Sequence, residues 1–150
     1  MAGSASEFPL PARAARGSRA VRHASHRHMR RYMMSQAIEG IDPAVPPSGP
    51  GCVECEQARG WWVHLRRCAQ CGHVGCCDSS PAQHATAHFS ATGHPFVQSY
   101  EPGEDWFWDY RSGEMYGAGP ELAPPRDHPA SQTVPGPRER VPADWQNHIH

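Results

Sequence analysis

The sequence predicts a small α+β domain: an antiparallel sheet with one main helix, flanked by disordered or irregular tails. Three observations support this fold class. All six cysteines of the 150-residue chain, with several histidines, lie between residues 52 and 94. Short strand-like and helix-like patterns follow the first of these cysteines, while 16 prolines and 14 glycines interrupt regular structure. A core of about seventy residues buries too little apolar surface to be secure alone, so a bound metal would supply the missing stability.

The charge distribution separates the first 33 residues from the rest. They hold seven arginines against Glu7, a net charge of +6, whereas residues 34–150 hold seven arginines against fourteen acidic residues, a net charge of −7. Residues 1–35 are rich in Arg, Ser and His and are predicted to be a disordered basic tail. An organelle transit segment is an alternative interpretation, and so is a true start at Met33 or Met34, which we favour.

Three further segments follow the tail. Residues 36–50 are predicted to be a linker rich in proline and glycine, residues 51–116 the folded domain, and residues 117–150 a proline-rich C-terminal extension. Within the last segment, residues 141–150 offer one short terminal helix around Trp145.

Local patterns place the main elements of the folded domain. Serine and proline at residues 79–81 predict the start of the main helix, and Gly93 predicts its end. Alternation and β-favouring residues predict strands and a hairpin in the remaining stretches. They are residues 61–65, the surroundings of Val74, residues 95–100, and a pair at residues 106–110 and 114–116.

Eight residues have the spacing of zinc ligands. Zinc prefers four thiolate or imidazole ligands in a tetrahedron, and two such sets account for all eight. They are Cys52, Cys55, Cys68, Cys71, Cys76, His84, His88 and His94. Disulfides are the competing interpretation, but no signal-peptide pattern implies an oxidising compartment. Spacing alone leaves the pairing open between a sequential and an interleaved arrangement.

Several motifs together resemble the ubiquitin-protease-type zinc finger, in particular its small bacterial versions. The resemblance covers about residues 50–116 and is carried by CGHVGCCDSSP from Cys71, HATAHF from His84, TGHP from Thr92 and EPGEDW from Glu101. It implies the interleaved pairing and two structural zinc ions. The first site would be Cys52, Cys55, Cys76 and His84, and the second Cys68, Cys71, His88 and His94. Asp109 stands where relatives with a third metal site have cysteine, so no third zinc is expected.

The resemblance also implies a pocket that reads the free C-terminus of ubiquitin. Trp62, Trp108 and Tyr110 correspond to aromatic residues of that pocket, and Trp106 is close by. The arginine that meets the terminal carboxylate is missing, and Asp78 stands in its place. Because like charges repel, we expect ubiquitin binding to be lost. The five residues form a candidate pocket for a cationic group instead, with packing of the sheet as the alternative role of the aromatic side chains.

No catalytic pattern is present. The His84–His88 spacing is similar to the metalloprotease HExxH helix, but Ala85 replaces the glutamate that acts as general base. The sequence therefore predicts a non-enzymatic, cytoplasmic module that binds an unidentified protein or peptide and spans no membrane. Nucleic-acid binding through the Arg-rich tail is one alternative, and a thiol or redox role of Cys77 at a helix start is another.

Overall fold

The computed structural model describes residues 39–117 and 119–150. The predicted basic tail and the later start at Met33 or Met34 lie outside these residues. Within these ranges, two α-helices and five β-strands are formed. In chain order they are α1 (Val53–Ala58), β1 (Leu65–Cys68), β2 (Val74–Cys76), α2 (His84–Thr92), β3 (Phe96–Ser99), β4 (Phe107–Asp109) and β5 (Glu114–Tyr116), followed by 3-10 turns at Arg138–Arg140 and Trp145–Asn147. The predicted α+β class, with one antiparallel sheet and one main helix, is confirmed.

All five strands belong to one sheet in the order β2-β1-β3-β4-β5, and every neighbouring pair is antiparallel. Each strand has only three or four residues. Such short strands form few ladder hydrogen bonds, and isolated two-stranded pieces of this size are marginal in water. The sheet therefore depends on what covers its two faces.

Helix α2 covers one face of the sheet, and Gly75 in β2 permits the contact. A Cβ atom at Gly75 would lie 2.7 Å from the backbone nitrogen of Ala85, the second residue of α2. Ala85 itself is buried. Only glycine allows the helix backbone to approach the strand this closely. The close approach places the N-terminal end of α2 next to Cys76, the last residue of β2.

The opposite face is covered by the segments before α1 and after β5. Leu122 is 2% exposed and packs with Ala69 and Phe107, and Ile41 and Phe96 lie against this cluster. The C-terminal segment, by which we mean residues 119–150, thus supplies part of the core.

Hydrogen bonds of Arg67 and of the segment before α1 hold the flanking segments on this same face of the sheet. Arg67 is 1% exposed and donates to the carbonyl oxygens of Val45 at 2.7 Å and Pro125 at 3.2 Å. The amide of Ser48 donates to the carbonyl of Gly72 at 2.8 Å. The stretch predicted as a linker therefore contacts the sheet through defined bonds.

Further contacts attach the C-terminal segment to the rest of the domain. Trp62 and Gly136 exchange two backbone hydrogen bonds of 2.9 and 3.0 Å as an isolated antiparallel bridge. The amide of His128 donates to the carbonyl of Tyr100 at 2.9 Å. The segment is irregular, as predicted, but it is packed against the domain along much of its length.

Several element boundaries differ from the sequence predictions. Helix α1 was not expected. Helix α2 begins at His84, after Gln83 in a left-handed conformation, instead of at the serines near residue 79. The first strand begins at Leu65, where the predicted one ends, because Trp62 pairs with the C-terminal segment. The terminal helix around Trp145 is only a short 3-10 turn.

Among the described residues, no helix has the length and apolarity needed to cross a membrane.

Candidate metal centre

The first metal centre, called site 1 below, joins four residues from α1, β2 and α2. Cys52 caps the N-terminus of α1 and Cys55 lies within that helix. Cys76 ends β2 and His84 begins α2. The three cysteines are at most 1% exposed. A short helix on one side and the contact between β2 and α2 on the other therefore bring the four side chains together.

The distances in site 1 fit a tetrahedral zinc ion. The Nδ1 atom of His84 lies 3.3 Å from the Sγ atoms of both Cys52 and Cys55 and 3.5 Å from that of Cys76. The sulfurs of Cys55 and Cys76 are 3.9 Å apart. Zinc bonds of about 2.3 Å to sulfur and 2.0 Å to nitrogen give tetrahedron edges of about 3.5 to 3.8 Å. A zinc ion with four protein ligands matches this donor set.

The second centre, called site 2 below, also combines cysteine and histidine ligands, but it is more exposed to solvent than site 1. Cys68 ends β1, Cys71 lies in the turn after it, His88 belongs to α2, and His94 follows that helix. The Sγ atom of Cys71 is 3.3 Å from Nε2 of His88, and that of Cys68 is 3.6 Å from Nδ1 of His94. All four ligand atoms lie within 4.8 Å of one another. Cys68 is buried but Cys71 is exposed, so solvent reaches site 2 more easily.

Two of the eight groups, Cys76 and His88, have pKa values shifted towards the form that binds a metal. Hydrogen bonds with Cys52 and Cys55 lower the pKa of Cys76 to about 4, whereas hydrogen bonds with Cys52 and Cys76 raise the pKa of Cys55. One thiolate is thus shared by neighbouring thiols. In site 2, burial and the neighbouring histidines lower the pKa of His88 to about 4, which leaves the ring neutral at pH 7. Neutral imidazole and thiolate are the forms that bind zinc.

A groove lies beside α2 on the same face of the sheet. Its volume is about 340 Å³, and it is lined by Arg66, Cys77, Asp78, Ser79, Val97, Trp106, Trp108, Tyr110 and Met115. Tyr110 stacks on Phe89 of α2 with ring centroids 4.9 Å apart. The guanidinium carbon of Arg66 lies 4.6 Å from the ring centroid of Trp106. Aromatic surface and both signs of charge therefore meet in one depression.

The structure places four of the five candidate pocket residues in this groove and the fifth elsewhere. Asp78, Trp106, Trp108 and Tyr110 line it. Trp62 does not, because it is 4% exposed and covered by the C-terminal segment. The prediction that Trp62 shares the pocket is therefore wrong.

Asp78 and Cys77 differ in accessibility. The carboxylate of Asp78 is exposed and accepts a hydrogen bond of 2.5 Å from the hydroxyl of Thr86. Cys77 is 5% exposed, and its sulfur lies 3.4 Å from the hydroxyl oxygen of Ser80. The expected position of Cys77 at a helix start is incorrect, since α2 begins seven residues later at His84.

Three residues near the sites were not singled out in the sequence. Arg66 enters the groove, and Glu54 and His73 lie between the two metal centres with Glu54 Oε1 and His73 Nε2 2.7 Å apart. Glu54 stands between Cys52 and Cys55, and His73 between Cys71 and Cys76. For Glu54 and His73, the sequence feature that could have identified them was their position between metal ligands in these motifs.

Comparisons with known proteins agree with this geometry. The sequence model of a family described as "Zn-finger in ubiquitin-hydrolases and other protein" matches residues 52–118. The chain is also similar to protein RPA1320 from Rhodopseudomonas palustris, known from a solution NMR structure. The identity is 45%, the match covers 67% of this chain and 92% of that one, and the TM-score is 0.53. Among curated protein sequences, none matches.

Proposed function

Since the chain belongs to the family of zinc fingers found in ubiquitin hydrolases and other proteins, we propose that it is a non-catalytic peptide-binding module with two structural zinc ions. The ligands would be the four residues of site 1 and the four of site 2. The observation that supports this most is the convergence of two complete four-ligand sets within 4.8 Å. Four protein ligands leave a tetrahedral zinc no position for an activated water molecule, so the metal would stabilise structure.

The groove beside α2 is the proposed peptide site. Trp106 and Trp108 are partly exposed there, and the neighbouring Met115 is 60% exposed. Exposed aromatic and methionine side chains around a depression are typical of binding surfaces in small domains. Zinc site 1 supports the groove because Cys76 immediately precedes Cys77 and Asp78, which line it.

Asp78 favours a cationic ligand over a carboxylate. The resemblance to ubiquitin-protease fingers implies an arginine at this position, where the C-terminal carboxylate of ubiquitin would be met. An exposed aspartate repels that carboxylate and attracts an arginine or lysine side chain. The stacking of Arg66 on Trp106 at 4.6 Å supports the proposal, because a guanidinium group already packs on one ring of this lining. A peptide with an Arg or Lys side chain is therefore the proposed ligand, bound between Asp78 and Trp108.

Peptide titration followed by tryptophan fluorescence tests the ligand class. An Arg-containing peptide is expected to bind, and a peptide ending in the free Gly-Gly carboxylate of ubiquitin is not. Asp78→Asn should weaken the cationic peptide several-fold. Asp105→Asn is the matched control, because Asp105 is exposed and outside this groove. Asp78→Arg should reverse the preference towards the carboxylate.

Two results would contradict the proposal. The first is an unchanged fluorescence on addition of cationic peptides. The second is tight binding of the Gly-Gly peptide by the wild type, which would show that Arg66 provides the positive charge in place of residue 78. The metal part is tested separately by elemental analysis, with two zinc ions per chain as the expected result.

A further inference from the structure

Glu54 and His73 form a line of contacts between the two metal centres without belonging to either ligand set. His73 Nε2 lies 2.7 Å from Glu54 Oε1. The ring of His73 is stacked on the ring of His88, with centroids 4.1 Å apart and an angle of 3° between the planes. Glu54 belongs to α1, which also carries Cys55 of site 1, and His88 belongs to site 2. The contacts therefore run from a helix of one centre to a ligand of the other.

We propose that this pair couples the two zinc sites energetically, with His73 as the residue that positions His88. The inference rests on the proposed function, because it requires that both sites bind zinc. Its consequence is that zinc at one site raises the affinity of the other, and by linkage the effect is equal in both directions.

Hydrogen bonds hold both the backbone and the side chain of His73. Its carbonyl oxygen accepts a hydrogen bond of 2.7 Å from the amide of Cys68. Its Nε2 atom carries the hydrogen that Glu54 accepts, since an ionised carboxylate is only an acceptor. The side chain is 14% exposed. A ring held in this way restricts rotation of the parallel ring of His88, as outer hydrogen-bond partners do for metal-binding histidines.

Electrostatics also favours coupling between the two sites. The carboxylate of Glu54 increases the electron density of the His73 ring, whereas a bound zinc ion withdraws density from the His88 ring. Stacking between the two rings is then more favourable with zinc bound than without it.

The positions of Glu54, His73 and His88 indicate how zinc at site 1 would order site 2. Zinc at site 1 would fix Cys52 and Cys55, and Glu54 lies between them in the chain. A fixed Glu54 sets the position of His73, which in turn sets His88. Site 2 needs this support because Cys71 is exposed and the site is less enclosed than site 1.

Metal titration of the full chain tests the coupling. Co²⁺ loading, followed by absorption spectroscopy, distinguishes a Cys3His site from a Cys2His2 site, and Zn²⁺ competition against a chelator gives both affinities. His73→Ala is expected to weaken site 2 by about tenfold, in the range found for outer-shell residues, and to change the Co²⁺ bands of site 2. Glu54→Gln should also weaken site 2, although Glu54 lies on a helix of site 1.

Two further variants complete the design. His73→Phe retains a flat ring for stacking but loses the bond to Glu54, and should give a site 2 affinity between those of the wild type and His73→Ala. Glu56→Gln is the matched control, since Glu56 is on the same helix but is paired with Arg140 at 3.3 Å. It should leave both affinities unchanged.

The outcomes separate this inference from the proposed function. A wild-type chain that binds fewer than two zinc ions overturns both. A wild type that binds two ions, together with His73→Ala and Glu54→Gln variants that bind both as tightly, overturns only the coupling. Equal affinity of the wild type and His73→Phe would also overturn it, because the bond to Glu54 would then contribute nothing.

Discussion

Glu101 is the buried charge at the junction between the sheet and the C-terminal segment. It is 7% exposed, and its two carboxylate oxygens have different partners. Oε1 accepts a hydrogen bond of 2.9 Å from the amide of Leu65 and lies 3.4 Å from Nδ1 of His64. Oε2 lies 2.5 Å from Nε2 of His128, which belongs to the C-terminal segment. Replacement of Glu101 by glutamine removes the charge and leaves the shape nearly unchanged.

The pKa of Glu101 gives the size and sign of the expected effect. Burial acts to raise it, but the nearby ring of His64 and the hydrogen bonds with His128 and from the amide of Leu65 outweigh burial. The result is a pKa lowered from 4.5 to about 2. At about 1.4 kcal/mol per unit, the charged carboxylate contributes about 3 kcal/mol to the free energy of unfolding. Because the pKa is lowered on folding, this contribution is complete above pH 4.5 and is lost as the pH falls towards 2.

Denaturant unfolding with excess zinc measures this contribution. Glu101→Gln is expected to lower the free energy of unfolding by about 3 kcal/mol at pH 7, and the difference should persist at pH 5, since both values lie above 4.5. Glu121→Gln is the control in the C-terminal segment, where Glu121 pairs with Arg126 and is 75% exposed. This control variant should lower the free energy of unfolding by less than about 1 kcal/mol. A Glu101→Gln variant within about 1 kcal/mol of the wild type would refute the reasoning.

Three other predictions concern the fold. Leu122→Ala should cost about 2 to 5 kcal/mol in denaturant unfolding, because it leaves a cavity against Ala69 and Phe107; a smaller loss would mean that residues 119–150 pack only loosely. Gly75→Ala should lower the melting temperature by an amount that corresponds to about 1 to 3 kcal/mol, since its Cβ would lie 2.7 Å from the nitrogen of Ala85. Removal of zinc by a chelator should abolish the near-UV circular dichroism, and an unchanged spectrum would contradict a structural role for the metal.

The sequence predicted the elements whose signals are local. Gly93 ends α2 in a left-handed conformation, as its position after the helical pattern indicates. The turn at residues 111–113 joins β4 and β5, which pair in the predicted hairpin. Helix α1 has only six residues, and one of them, Cys55, is a metal ligand, so no apolar periodicity marks it. The start of α2 was misplaced because the serines near residue 79 have the composition of a helix cap without that role.

The contacts that decide the site are not local, and the sequence could not predict them. Trp62 follows the expected spacing for a pocket residue, yet Gly136, seventy-four positions later, pairs with it and covers it. Proline-rich composition at residues 117–150 predicts irregular backbone, but it does not distinguish a free extension from one that packs. Leu122, one of the few large aliphatic residues in that stretch, is the one that joins the core.

The two faces of the sheet explain why binding is proposed on one of them alone. On the face opposite α2, Arg67 and Leu122 are buried by the flanking segments. On the face that carries α2, Trp108 is partly exposed and pairs with the exposed Met115 of β5. A domain that already covers one face with its own chain gains nothing in stability from leaving aromatic surface open on the other. The open aromatic surface beside Asp78 is therefore the part of the sheet that remains available to the proposed ligand.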